Sequence, residues 1–155
     1  MAEPLTLDEF QERLDRIGRE FPGDMNEALA LCTFEVWKGI GSNFDRQATA
    51  GGEAWPPRKD KLTHPLLRLT GALEEAATGQ GANSFSRVEN GDTLEIGVTK
   101  GASGTSLGGA AVHQYGYPEK NIAQREYLGF TDEALDACVE ILADAAVANI
   151  LEVLA

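Results

Sequence analysis

His113, Gln114 and Tyr115 stand together in an apolar stretch and form the one cluster in the chain with acid–base potential. A histidine beside a tyrosine in such surroundings is more often a hydrogen-bonded packing residue, and the partners a catalytic constellation needs are missing. No Gly-x-Ser-x-Gly elbow presents a hydrolase nucleophile. Gly39-Ile40-Gly41, Gly79-Gln80-Gly81 and Gly101-Ala102-Ser103-Gly104 are glycine-rich, but none continues into Gly-Lys-Ser/Thr, so a phosphate-binding loop is not supported. Cys32, Cys138, His64 and His113 lack Cys-x-x-Cys or His-x-x-x-His spacing and do not read as a tetrahedral metal site. Each cysteine sits in an apolar helical pattern, which favours two buried thiols over the alternative of a disulfide. No catalytic site, metal or cofactor is expected.

Charge is the other chemical signal. Arg58, Lys59, Lys61 and Arg68 form a basic patch with Trp55 close by. Stacking plus phosphate contact would suit nucleic acid. The total of 25 Asp and Glu against 13 Lys and Arg, a formal charge of −12, favours docking on an acidic protein neighbour or a solvated loop. Glu133, Asp136, Glu140 and Asp144 follow helical spacing and make an acidic stripe with no cation opposite. They lack the glycine-turn spacing of a calcium loop, so a solvated or channel-facing helix edge explains them better.

These residues need elements to hold them. A chain of 155 residues, 43% hydrophobic and 25% charged, fits a single domain that buries about 70% of its unfolded surface. No stretch reaches the roughly 18 to 20 apolar residues of a membrane span. Met1-Ala2-Glu3-Pro4 lacks the order of a signal peptide, so neither secretion nor membrane insertion is expected. Thr6 with Glu9, and Asp24 with Glu27, read as capping boxes. The first opens a helix with Leu7, Phe10, Leu14 and Ile17 on one face. The second opens a helix carrying Met25, Leu29, Cys32, Val36 and Ile40 that fades near 39–44.

Residues 45–65, with Trp55-Pro56-Pro57, read as a long irregular loop. Leu66 to Leu73 suggests a short helix broken at Thr70-Gly71, and 76–83 a small, flexible stretch. Phe85–Val88 and Leu94–Val98 flank Glu89-Asn90-Gly91-Asp92, a strong hairpin signal, with one face of the sheet packed. Residues 100–109 read as a mobile loop, 110–115 as one helical turn and Ile122–Phe130 as a third strand. Thr131 then caps a terminal helix whose end, 145–155, is apolar nearly all round. That end must bury itself against the second helix or against another subunit.

From residue 55 to about 150 the chain resembles the phage virion morphogenesis family, which is related to the tail-completion and neck proteins of tailed phages. Trp55-Pro56-Pro57 followed by Leu66-Leu67-Arg68-Leu69-Thr70-Gly71-Ala72-Leu73 is similar to the family's Trp-Pro segment and Leu-x-x-Thr-Gly-x-Leu. Ala111-Val112-His113-Gln114-Tyr115-Gly116 is similar to Ala-x-Ile-His-Gln-Phe-Gly. Gln124-Arg125-Glu126-Tyr127-Leu128-Gly129-Phe130-Thr131-Asp132-Glu133 resembles Ala-Arg-Pro-Phe-Leu-Gly-Leu-Ser-Asp-Glu, with Glu126 in place of the proline and a tyrosine hydroxyl at 127. Residues 1–50 match only in being helical.

The fold expected is α+β: a small antiparallel sheet of three or four strands packed against two long helices, with long flexible loops at 45–65 and 99–109. The landmark residues Thr70, Gly71, Leu73, His113, Gln114, Gly116, Arg125, Tyr127, Leu128 and Gly129 have fold-fixing roles. The resemblance implies a non-enzymatic virion protein at the neck, made in the host cytoplasm, that completes the tail or joins it to the head. Its partners would be copies of itself in a ring of six or twelve, adjacent neck, tail-terminator or connector proteins, and DNA in passage. Trp55, Arg58, Lys59, Lys61, Ser103, Leu107, Ile150 and Leu154 are the expected contact residues. Glu133, Asp136, Glu140 and Asp144 would face the lumen and repel DNA phosphate. The rival readings are an adaptor that binds an unrelated partner through the apolar terminal helix and, more weakly, a small hydrolase using His113.

Overall fold

The computed structural model describes residues 25–99 and 109–154, together with Gln11, Glu12 and Asp15, which have helical backbone and exposed side chains. The Thr6 and Asp24 caps, the first apolar helical face, and the loop residues Ser103 and Leu107 lie outside the described residues.

Helix α1 spans Asn26–Arg46. Its first turn closes on the Met25 carbonyl, which accepts from the Leu29 N–H at 2.9 Å. It does not fade at 39–44, because the glycines there serve packing: a Cβ on Gly39 would lie 2.9 Å from Thr131 Oγ1 and 3.1 Å from Ala134 Cβ. The helix stops where Gln47 turns left-handed, at φ 52°. The Gln47 amide secures that end, donating to the Phe44 and Leu66 carbonyls at 2.7 and 3.3 Å and accepting from the Leu66 N–H at 2.6 Å.

Residues 45–65 are less free than the prolines suggested. Ala48 and Ala54 form an isolated antiparallel bridge, and the Trp55 N–H donates to the Gln47 carbonyl at 2.8 Å. Trp55 itself is core, packed edge-on against Phe44 at 5.6 Å between ring centroids. The helix expected from Leu66 begins only after Gly71: α2 is Ala72–Ala77. Leu67 at φ 61° takes the preceding leucines out of helical geometry. Ala76 and Ala77, expected in a flexible stretch, are buried under α1.

Strands β1 (Ser84–Glu89) and β2 (Thr93–Val98) pair antiparallel, with Glu89 opposite Thr93. Asn90 and Gly91 both have positive φ, the geometry that matches a tight turn to the twist of its strands. Val88, Leu94, Ile96 and Val98 pack on the core. The other face carries the Arg87 pairs with Glu89 and Glu95, at 2.9 and 2.6 Å.

Helix α3 is Gly109–Tyr115, a 3-10 turn follows at Pro118–Lys120, and α4 is Asp132–Leu154. Thr131 Oγ1 accepts from the Ala134 N–H at 3.2 Å, capping α4. Helices α1 and α4 run antiparallel. Gly39 meets Thr131 and Ala134, the Cys32 and Cys138 thiols each face the other's backbone carbonyl at 3.9 and 3.8 Å, and Asn149 donates to Met25 Sδ at 3.6 Å. Both cysteines are free thiols, and burial, then the neighbouring Cys138, pushes Cys32 up to about 11.

The described residues form a mixed helix and strand fold whose sheet has two strands. Residues 122–130, expected as a third strand, join no ladder beyond the isolated Tyr117–Ile122 bridge. The physical reason is that side chains already serve this segment's backbone. Gln114 Oε1 accepts from the Tyr127 and Leu128 N–H groups at 3.1 and 2.9 Å, and its Nε2 donates to the Leu128 carbonyl at 3.0 Å. Asn43 Nδ2 donates to the Tyr127 carbonyl at 3.2 Å, and Trp55 Nε1 to that of Glu126 at 3.0 Å. A buried backbone needs partners, and these replace a neighbouring strand.

Candidate interaction groove

The segment 122–130 itself supplies Ile122, Ala123 and Arg125 to one wall of an open groove of 560 Å³. Its other wall is the loop with Arg58, Lys59, Asp60 and His64, its apolar surface comes from Leu66, Leu67, Leu69 and Leu73, and His113, Asn121, Ile122 and Arg125 close the far side. The two walls are bonded together. Arg125 Nε and Nη2 donate to the Pro56 and Pro57 carbonyls at 3.0 and 3.2 Å, and Lys59 donates to Asn121 Oδ1. The Arg125 N–H donates to the His113 carbonyl at 2.7 Å. Gly116, at φ 76°, lets the chain turn back: a Cβ there would come 3.0 Å from the Gln124 backbone nitrogen.

Three cations line the groove against one carboxylate. Asp60 takes two bonds from Arg58, at 2.7 and 3.1 Å, and this holds its carboxyl below the usual range. Arg125 is lowered from the usual guanidinium value, by burial first and then by repulsion from Arg58. His113 is lowered by burial and by Arg125. Both histidines of the chain face this groove, and each has a buried ring nitrogen without a hydrogen-bond partner, His64 Nε2 and His113 Nδ1. His64 Nδ1 lies 3.0 Å from Arg58 Nη1, which only donates, and 2.9 Å from the Pro65 carbonyl, which only accepts, so the two contacts call for opposite tautomers and Nε2 is a buried ring nitrogen of either role. Arg58, Lys59 and Arg125 beside exposed leucine surface give the groove cationic and apolar character together.

The residues singled out in the sequence divide by location. Leu73 and Tyr127 are buried; the Tyr127 hydroxyl donates to the Ala110 carbonyl at 3.1 Å, and burial raises its pKa. Gly71, at φ 79°, precedes α2, whose Ala72 N–H donates to Thr70 Oγ1 at 3.3 Å. Leu128 is half-buried against the core, and Gly129 lies where a Cβ would come 2.9 Å from that of Ala50. Arg58 and Lys59 come to the groove, Lys61 is exposed beyond it, and Arg68 is drawn to Asp45 and Glu74. Trp55, grouped in the sequence with the contact residues, is 4% exposed and so has little surface for a neighbour. Ile150 is half-buried on α4, and Leu154 is described only as that helix's last residue.

Glu133, Asp136, Glu140 and Asp144 are all exposed along α4. Next to them run Leu135, Val139, Val147 and Leu151, each between 46 and 64% exposed. The terminal helix therefore packs one face on α1, and among the described residues its apolar stripe has no cover. Sequence reasoning missed Asn43 and Gln47. The available signal was an amide placed within an apolar helix and another where that helix ends. Among the described residues no group of three or more His, Cys, Asp or Glu is placed to hold a metal ion, and no helix is long and apolar enough to cross a membrane.

A family model described as the phage virion morphogenesis family matches residues 5–146. No curated protein and no solved structure matches the chain.

Proposed function

The chain belongs to the phage virion morphogenesis family, and from that membership we propose that it is a structural part of the neck of a tailed phage or prophage particle, where it completes the tail or joins it to the DNA-filled head. The observation that carries this reading is the family match along residues 5–146, which takes in all three landmark segments in order. The use of the landmark side chains supports it. Gln114, Arg125, Tyr127 and Thr70 spend their polar atoms on nearby backbone, as fold-fixing residues do, and the working parts left over are surfaces.

In this reading the protein is not an enzyme. It assembles around the DNA channel as a ring of copies joined head to tail, a heterologous contact that closes by rotation, and it meets adjacent neck, terminator or connector proteins along the ring's faces. It acts in the host cytoplasm during assembly and then within the virion. Electron microscopy of particles carrying labelled protein tests the location. Label at the head–tail junction is the expected result, and label on the capsid shell or none on particles would refute it.

The uncovered apolar stripe on α4 favours one rival, an adaptor that binds an unrelated partner through that helix. That protein would remain a monomer or dimer and would never be recovered with particles.

A further inference from the structure

The groove and the outer face of α4 are complementary. One offers Arg58, Lys59 and Arg125 around exposed leucine surface, with Leu69 72% exposed. The other offers Asp136, Glu140 and Asp144 at i,i+4 spacing beside Leu135, Val139, Val147 and Leu151, which lie four or eight residues apart, so acid and apolar rows run side by side along the helix. We propose that the groove receives the acidic–apolar face of α4 from a second copy of this chain, and that this is the head-to-tail contact between copies.

Three observations favour this occupant. A chain of charge −12 gathers three cations on one apolar groove, which concentrates attraction for an acidic partner at a single place. Arg58 and Arg125 line the same groove and repel one another, a strain that carboxylates relieve. The apolar row on α4 needs cover that a water-filled channel does not supply, which sets the stripe against a neighbour rather than toward the lumen. Phosphate of duplex DNA would answer the cations alone, and leave the leucines and valines unused.

The proposal deepens the ring reading and rests on it for closure. The pairwise contact is read on the purified full chain, so its failure would leave the particle location untouched. Sedimentation velocity over a concentration series should show self-association that weakens as salt is raised. The α4 variant Asp136→Lys/Glu140→Lys/Asp144→Lys changes only exposed side chains and should weaken association about a hundredfold, with the thermal unfolding transition retained. Lys59→Glu should act in the same direction from the groove side. Mixing the two variants should restore a pairwise contact, because the unaltered groove of the α4 variant then meets the unaltered α4 face of the Lys59→Glu variant. A wild-type chain that stays monomeric throughout, an α4 variant that associates like wild type, or a mixture that stays apart would overturn the proposal. So would a groove that retains a duplex oligonucleotide and no second copy.

Discussion

Three backbone groups of the segment 122–130 depend on the Gln114 amide, and no other side chain among the described residues serves as many groups of that segment. Gln114→Ala leaves the Tyr127 and Leu128 N–H groups and the Leu128 carbonyl in partly buried positions without partners. An unmet buried group costs about 1–3 kcal/mol, so a loss of about 3 kcal/mol in urea unfolding is expected, partial access of water keeping it below the sum. Gln114→Glu keeps both acceptor bonds and loses the donor, so its loss should be smaller. Equal losses would show that the amide is not what holds this segment. His113 makes a second prediction at this scale. Burial and Arg125 hold its folded pKa below the ordinary 6.5, so the unfolded chain takes up a proton that the folded chain resists. The resulting stability is present above about pH 6.5 and is lost as pH falls through the folded value. Unfolding midpoints between pH 7.5 and 5.5 should therefore fall in the wild type and fall less in His113→Asn. The part played by these residues was half legible. The sequence marked His113, Gln114 and Gly116 as loop ties, but the backbone they tie lies in another segment, and Asn43 carried no local sign of its reach to Tyr127.

Elements are fixed by what lies between them. At the α1–α4 crossing, Gly39→Ala gains about 1 kcal/mol of helix propensity. Against that, the new methyl would press on Thr131 Oγ1 at 2.9 Å and on Ala134 Cβ at 3.1 Å. Overpacking costs about 1–3 kcal/mol, and displacing the Thr131 cap about 1 more, so the substitution should destabilise by about 1–3 kcal/mol. Gly41→Ala is the internal comparison, since its Cβ would meet Thr78 at an ordinary 3.6 Å and the propensity gain should survive. Thermal unfolding of the two variants checks this, and equal shifts would deny the crossing its tight contact. The hairpin was readable in advance because its information is local: Asn90 and Gly91 both take the positive φ that their types tolerate. The absent third strand was not, because 122–130 has strand-like residues and differs only in being bonded by Asn43, Trp55 and Gln114 instead of a neighbouring ladder. The same holds for Trp55, whose Pro-Pro context suggested an exposed loop while its ring fills space beside Phe44.

For the whole molecule the decisive quantity is where charge sits. Net charge alone spoke against a free nucleic-acid binder, and the chain's order of motifs pointed to phage virion morphogenesis, the family whose model matches residues 5–146. The groove was not legible, because it joins Arg58 and His64 to His113 and Arg125 from distant parts of the chain. The apolar end of the chain, 145–155, was legible as a surface needing cover, whereas Leu135 and Val139 were not, and among the described residues α1 leaves Val147 and Leu151 exposed as well. In the proposed reading, side chains build a scaffold and the remaining surfaces meet other proteins. Removing the gene and imaging the lysate by electron microscopy tests that most directly. Filled heads beside unattached tails are the expected products, and complete, infectious particles would contradict the account.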